Sequence, residues 1–148
     1  MTTELDVARS LELGELPGHL LRRAQQLHTA LWAAHVSTAY TSTQFAALNA
    51  IAASPHLDQT QLGEHIGTDR STTTGVVQRL MHRRDLQCRR SETDGRRNEL
   101  HLTAAGEEAL RDLTPRVEAL TEVITGPLDA AERMELQRLL AKLIADRH

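Results

Sequence analysis

Aromatic residues are almost absent from this chain of 148: Trp32, Tyr40 and Phe45 are the whole set. Cysteine is reduced to Cys88, so no internal disulfide can form and no thiolate set has metal-ligand spacing; the fold must stand on packing alone. No apolar run approaches the roughly 18 residues that cross a bilayer, and Met1 to Arg9 carry neither the basic nor the apolar region of an export signal. A cytoplasmic protein without membrane contact is the expectation. Phosphate-cradling glycine loops, a G-x-S-x-G elbow, H-E-x-x-H and paired carboxylates between helices are all missing, which argues against an enzyme and against a cofactor. Lysine is present only as Lys142, so nearly all positive charge is arginine, whose planar fork of donors suits phosphate and guanine edges.

What is present is a helical composition, 40% hydrophobic and 25% charged, in a length that fits one compact unit or one small domain plus pairing helices. The formal charge is −3, but it is unevenly spread. Between Arg70 and Arg97 eight arginines face three acids, a local +5 that leaves −8 for the remainder. Since charge acts over about a Debye length, the local sign matters more than the sum.

Along the chain, residues 1–15 have weak periodicity and read as a loose tail. Residues 16–40 form a long first helix with Leu20, Ala24, Leu27, Leu31 and Ala34 at helical spacing and Pro17 in its first turn. Residues 41–103 hold three shorter helices and a hairpin. Phe45, Leu48, Ile51 and Ala52 mark the second helix; Asp58 and Gln61 form a capping box for the third, which Gly67 ends; Asp69 caps the fourth, with Thr73, Val76, Val77 and Leu80 on its core face. Short alternation then flanks Glu92-Thr93-Asp94-Gly95, predicting a β-hairpin with an arginine-bearing tip. Residues 104–148 hold two more helices. Thr103 caps the first, Leu110, Leu113, Val117, Leu120 and Ile124 run along it, and Pro115 is expected to kink it.

Two short helices joined by a glycine turn and followed by a hairpin make a winged helix-turn-helix, whose second helix enters the major groove of DNA. The fourth helix suits that role. Arg70, Ser71, Thr72 and Thr74 can reach phosphates or base edges, Gln78 can pair with adenine and Arg79 with guanine or phosphate, while Arg83 and Arg84 lie at phosphate positions. Gly75 would let backbone approach the groove wall. At the hairpin tip Arg96 and Arg97 can probe the narrow minor groove, and Asp94 is expected to fix the wing by pairing with a nearby arginine. The long apolar faces of the terminal helices exceed what a small lobe can bury and predict an interface.

Asp94-x-Arg96 followed by Leu102-Thr103 resembles the wing signature of the MarR family, and Asp69-Arg70-Ser71-Thr72-Thr73-Thr74 resembles that family's recognition-helix start. The resemblance runs from about Gly18 to the C-terminus. It implies a mainly α winged helix-turn-helix with a small β-hairpin wing, in an intertwined helical homodimer that binds double-stranded DNA carrying an inverted repeat. Two positions depart from the pattern: Asp85 stands where glycine is usual and Thr68 where an apolar residue is common.

On the first helix Leu21, Gln25, His28, Trp32 and His35 form a second stripe, with Arg22 beside it. Guanidinium, imidazole and indole together could bind an aromatic acid, or could simply make dimer or lobe contacts. The run from Gly18 to His28 is also similar to the start of MarR proteins that respond to protocatechuate-like phenolic acids. That resemblance implies Arg22 on the carboxylate and His28 on a hydroxyl. His28 and His35 stand roughly 10 Å apart on one helix and cannot share an ion, so no metal is expected. The alternatives carried forward are a dimeric ligand- or partner-binding protein without sequence-specific DNA binding, and a regulator answering to a metal or to the Cys88 thiol.

Overall fold

Pro17, pre-set for a first helical turn, opens α1 (Pro17–His35), and a 3-10 turn at Leu13–Glu15 precedes it inside what reads from sequence as tail. The computed structural model describes residues 8–145; the rest of the expected tail (1–7) and the end of the last expected segment (146–148) lie outside the described residues. Thr41 starts α2 (Ser42–Ala53) with a reciprocal capping box to Gln44, and Asp58 starts α3 (Gln59–Ile66) with the expected box to Gln61. Gly67, at φ 71°, supplies the left-handed residue that ends α3, and Asp69 caps α4 (Arg70–His82) by accepting the Thr72 amide at 2.7 Å. Strands β1 (Leu86–Arg90) and β2 (Asn98–Leu102) pair antiparallel, from Leu86 opposite Leu102 to Arg90 opposite Asn98. Thr103 caps α5 (Ala104–Ile124), which Pro115 does not end, and Asp129 caps α6 (Ala130–Ile144).

The core gathers the predicted stripes. Leu48, Leu62, Leu80 and Leu113 are fully buried, and Trp32, Val36, Ile51, Val76, Val77, Leu86, Leu100 and Leu120 close around them. Helix α5 packs on α1, α2 and β2, so it joins the lobe to the first helix. Where α3 crosses α4, a side chain at Gly63 would stand 2.8 Å from the Thr73 hydroxyl, so glycine sets that close approach. Thr68, one of the two departures, is accommodated by a 2.6 Å hydroxyl contact with Thr73.

The other departure resolves differently. After α4 the Asp85 amide reaches back to Leu80 and the Arg84 amide to Met81, the two bonds of a Schellman cap. Its left-handed residue is Arg84, at φ 65°, so the turn makes no demand for glycine at Asp85. Asp85 is buried instead, and its carbonyl accepts the Thr103 amide while Gly106 lies against it; a Cβ at Gly106 would overlap that carbonyl oxygen. Asp85 is thus the junction of α4, the wing and α5.

On α1, Leu20 and Leu27 of the first apolar set are about half exposed in the protomer, whereas Trp32 and, just past the helix, Val36 are buried, because the last turns of α1 cross the lobe. Among the described residues helix α6 buries nothing: Met134, Leu136, Leu139, Leu140, Leu143 and Ile144 are all exposed, as are Val123, Leu11 and Leu13 elsewhere in the protomer.

Candidate nucleic-acid interface

The exposed side of α4 follows from its buried side. With Thr73, Val76, Val77 and Leu80 turned into the core, helical geometry leaves Arg70, Ser71, Thr72, Gln78, Arg79 and His82 outside. The side chains of Arg70, Ser71, Gln78 and Arg79 have no hydrogen-bond or ion-pair partner among the described residues, so their polar groups are free for an outside ligand. Among the described residues nothing lies within 4 Å of a Cβ built on Gly75, so this half-buried glycine has no packing reason there. Thr74 differs from its neighbours. Its hydroxyl donates to the Arg70 carbonyl at 2.8 Å and accepts from the Gln59 amide at 2.7 Å, which ties α3 to α4.

The two tip arginines have different surroundings. Arg96 is exposed, and among the described residues only its backbone amide is engaged, with the Asp94 carboxylate at 3.1 Å. Asp94 therefore fixes the turn through that amide, and the expected pairing with an arginine side chain is not what holds it; the tight turn simply brings the Arg96 N–H closer. Arg97 folds back onto α3. Its Nη2 donates to Gln61 at 2.7 Å and to the His56 carbonyl at 3.1 Å, and its Nε faces Asp58 at 3.3 Å. In this conformation Arg97 anchors the wing to the α3 capping box, together with a backbone bond from Leu100 to Leu57. Ser91 completes the tip by accepting the Thr93 and Asp94 amides.

Behind α4, Arg83 lies 3.9 Å over the Tyr40 ring, 3.4 Å from the Asp85 carboxylate and 3.3 Å from the Ala39 carbonyl, so its charge is engaged inside the lobe. Arg84 is exposed at its turn. Burial first, and then the bond to Asp85, push the Tyr40 phenol above its ordinary pKa.

Sequence reasoning missed the Tyr40–Asp85 contact, a 2.7 Å bond between residues 45 apart; the one hint was an acid where glycine is usual. It also missed Glu99, buried on β2, whose Oε2 takes His56 at 2.8 Å and His101 at 3.3 Å. Those hydrogen bonds, His56 first, hold its carboxyl below the usual range. Strand alternation puts Glu99 and His101 on one face, but nothing in the sequence brings His56 to them.

On α1 the indole N–H of Trp32 donates to the Tyr40 carbonyl at 2.7 Å, so that donor is spent within the protein. Trp32 stacks obliquely between His28 and Phe45, each with its ring centroid 6.0 Å away. His28 is half-buried, whereas Gln25 and Arg22 are open, and among the described residues the Arg22 side chain reaches His19 alone, at 3.0 Å.

A protein-family model described as MarR family matches residues 40–97, from Tyr40 to the second wing arginine. The HTH-type transcriptional repressor NicR of Pseudomonas putida is 33% identical over 134 residues, covering 90% of this chain and 85% of that protein. The chain belongs to the MarR family. Among solved MarR-type structures, the PcaV transcriptional regulator of Streptomyces coelicolor in complex with its natural ligand superposes with a TM-score of 0.89 at 41% identity, over 94% of this chain and 99% of that one. BpsR of Bordetella bronchiseptica, solved to explain regulation of its DNA binding by 6-hydroxynicotinic acid, gives 0.87 at 29% identity, over 95% and 100%. The winged helix-turn-helix and the transcription-regulator class are thereby established, and a dimer fits the MarR family.

Proposed function

We propose that this MarR-family protein is a homodimeric repressor that binds an inverted-repeat operator and releases it when an aromatic carboxylate binds along α1. The observation that carries the reading is the contrast within the lobe: Arg70, Ser71, Gln78, Arg79 and Arg96 offer free polar groups outward, while Arg97, Arg83 and Thr74 hold the elements that present them. Helix α4 enters the major groove, Arg96 enters the flanking minor groove, and Arg84 takes phosphate; Thr72 and Ser71, in the first turn, meet the backbone. Arg83 and Arg97 reach phosphate only by leaving their partners. Two-fold symmetry sets the half-sites about 34–36 Å apart or at a multiple of that spacing.

The partition is residues 41–103 as the DNA-binding lobe, with 16–40 and 104–148 pairing two copies through the apolar faces of α1, α5 and α6. Along α1, Arg22 holds the carboxylate, His28 a ring hydroxyl and Gln25 a further polar edge, while Trp32 supplies a flat wall through its ring. A cytoplasmic, non-enzymatic regulator is the consequence.

Fluorescence anisotropy against the gene's own upstream DNA and a scrambled control, at several salt concentrations and with or without protocatechuate, tests both halves. Expected are preferential, steeply salt-dependent binding to the upstream DNA and its reversal by the acid. Specific binding that ignores the acid would remove the effector. Binding to neither DNA would shift the reading to a partner-binding dimer.

A further inference from the structure

The effector reading leaves open how an acid lying on α1 could be felt by α4, and the packing between them supplies a continuous connection. Trp32, beside His28, donates its indole N–H to the Tyr40 carbonyl at 2.7 Å. Tyr40 in turn donates its phenol to Asp85 Oδ2 at 2.7 Å. Asp85 is buried, with its amide in the C-cap of α4 and its carbonyl on the first amide before α5. Arg83, the C-cap residue of α4, closes the group by covering the Tyr40 ring and facing the same carboxylate oxygen.

We propose that Tyr40 is the positioning residue of a Trp32–Tyr40–Asp85 link through which an acid bound on α1 changes how α4 is held; the proposal rests on the effector reading above. A ligand that tilts Trp32 must either break the indole bond or carry residue 40 with it. Because the phenol is fixed to Asp85, movement of residue 40 pulls on the end of the recognition helix and on the start of α5 together. Movement of α5 changes the angle between lobe and pairing helices, which is the variable that half-site spacing reads. A ligand shifts such an equilibrium only by its differential affinity for the two arrangements, and the link is what makes that affinity depend on α4.

Tyr40→Phe tests it, because the substitution keeps the ring under Arg83 and the carbonyl for Trp32 and deletes only the hydroxyl. Protocatechuate affinity is read by calorimetry, and operator affinity by anisotropy with and without the acid. The expected result is acid affinity within about threefold of wild type, with the acid-induced loss of operator affinity falling from about 5-fold or more to under 2-fold. Asp85→Asn should give the same loss of coupling, and the double variant no more than either alone. Equal acid response in wild type and both variants overturns the link and leaves the effector reading standing. A wild type whose operator binding ignores the acid overturns the effector reading and this proposal with it. Variants that lose operator affinity and melt early without acid make the contact purely structural, which also overturns it.

Discussion

Single residues in this protein separate stability from recognition most clearly at Gly75. Glycine inside a helix costs about 1 kcal/mol relative to alanine, and the space around it is empty in the protomer. Gly75→Ala should therefore raise unfolding stability by up to about 1 kcal/mol in thermal or denaturant melts. It should also weaken operator binding, because the methyl would stand where α4 meets the groove wall. A stabilised variant with unchanged operator affinity would show that the backbone does not approach DNA there. Tyr40 gives a second residue-scale test, since it is the single tyrosine and phenolate absorbance reads it alone. Its pKa is raised, by burial first and then by Asp85, so titration in the native state should lie above the ordinary value near 10. The sign follows: its contribution to stability is fully present below about pH 10 and is lost as pH rises through the higher native value. Asp85→Asn should lower the native midpoint.

At the scale of elements the wing is a hairpin whose two tip arginines have been given separate tasks. Arg97 spans from β2 to the α3 capping box, so Arg97→Ala should lower stability by about 1–2 kcal/mol, a loss visible in melting temperature, and loosen the tip. Arg96→Ala touches no side chain and should leave melting unchanged while reducing operator affinity and flattening its salt dependence. If Arg97→Ala melted like wild type but lost the operator as Arg96→Ala does, both arginines would be contacting DNA. This division was hidden in the sequence, where the two residues are adjacent and chemically identical. Their difference arises from the capping box of a helix 36 residues earlier, which happens to sit under the one and away from the other.

For the whole molecule, the protomer is unfinished. Among the described residues helix α6 buries none of its side chains, and leucines on α1 and Val123 near the end of α5 are exposed as well. Burial of these side chains by a second copy is the contribution that would make two lobes one DNA reader. Leu139→Glu should shift the protein toward monomer in sedimentation or light scattering. Operator affinity should then fall far more than non-specific affinity, because one lobe reads one half-site. A Leu139→Glu protein that remained dimeric would remove α6 from the interface.

Much of this was decided locally. The periods of apolar residues, the caps at Asp58, Asp69 and Thr103, the Gly67 turn and the alternation around Asp94-Gly95 determined every helix of the lobe and the wing, because each depends on neighbours within a few positions. Charge counting likewise located the cationic segment. Which face of α1 is buried, which of Arg96 and Arg97 is free, and what Asp85 does were decided only by tertiary structure. Each turns on a partner far along the chain: α5 across the last turns of α1, Asp58 and Gln61 beneath Arg97, and Tyr40 beside Asp85. No pattern of short period records such meetings; they exist only once the helices have packed.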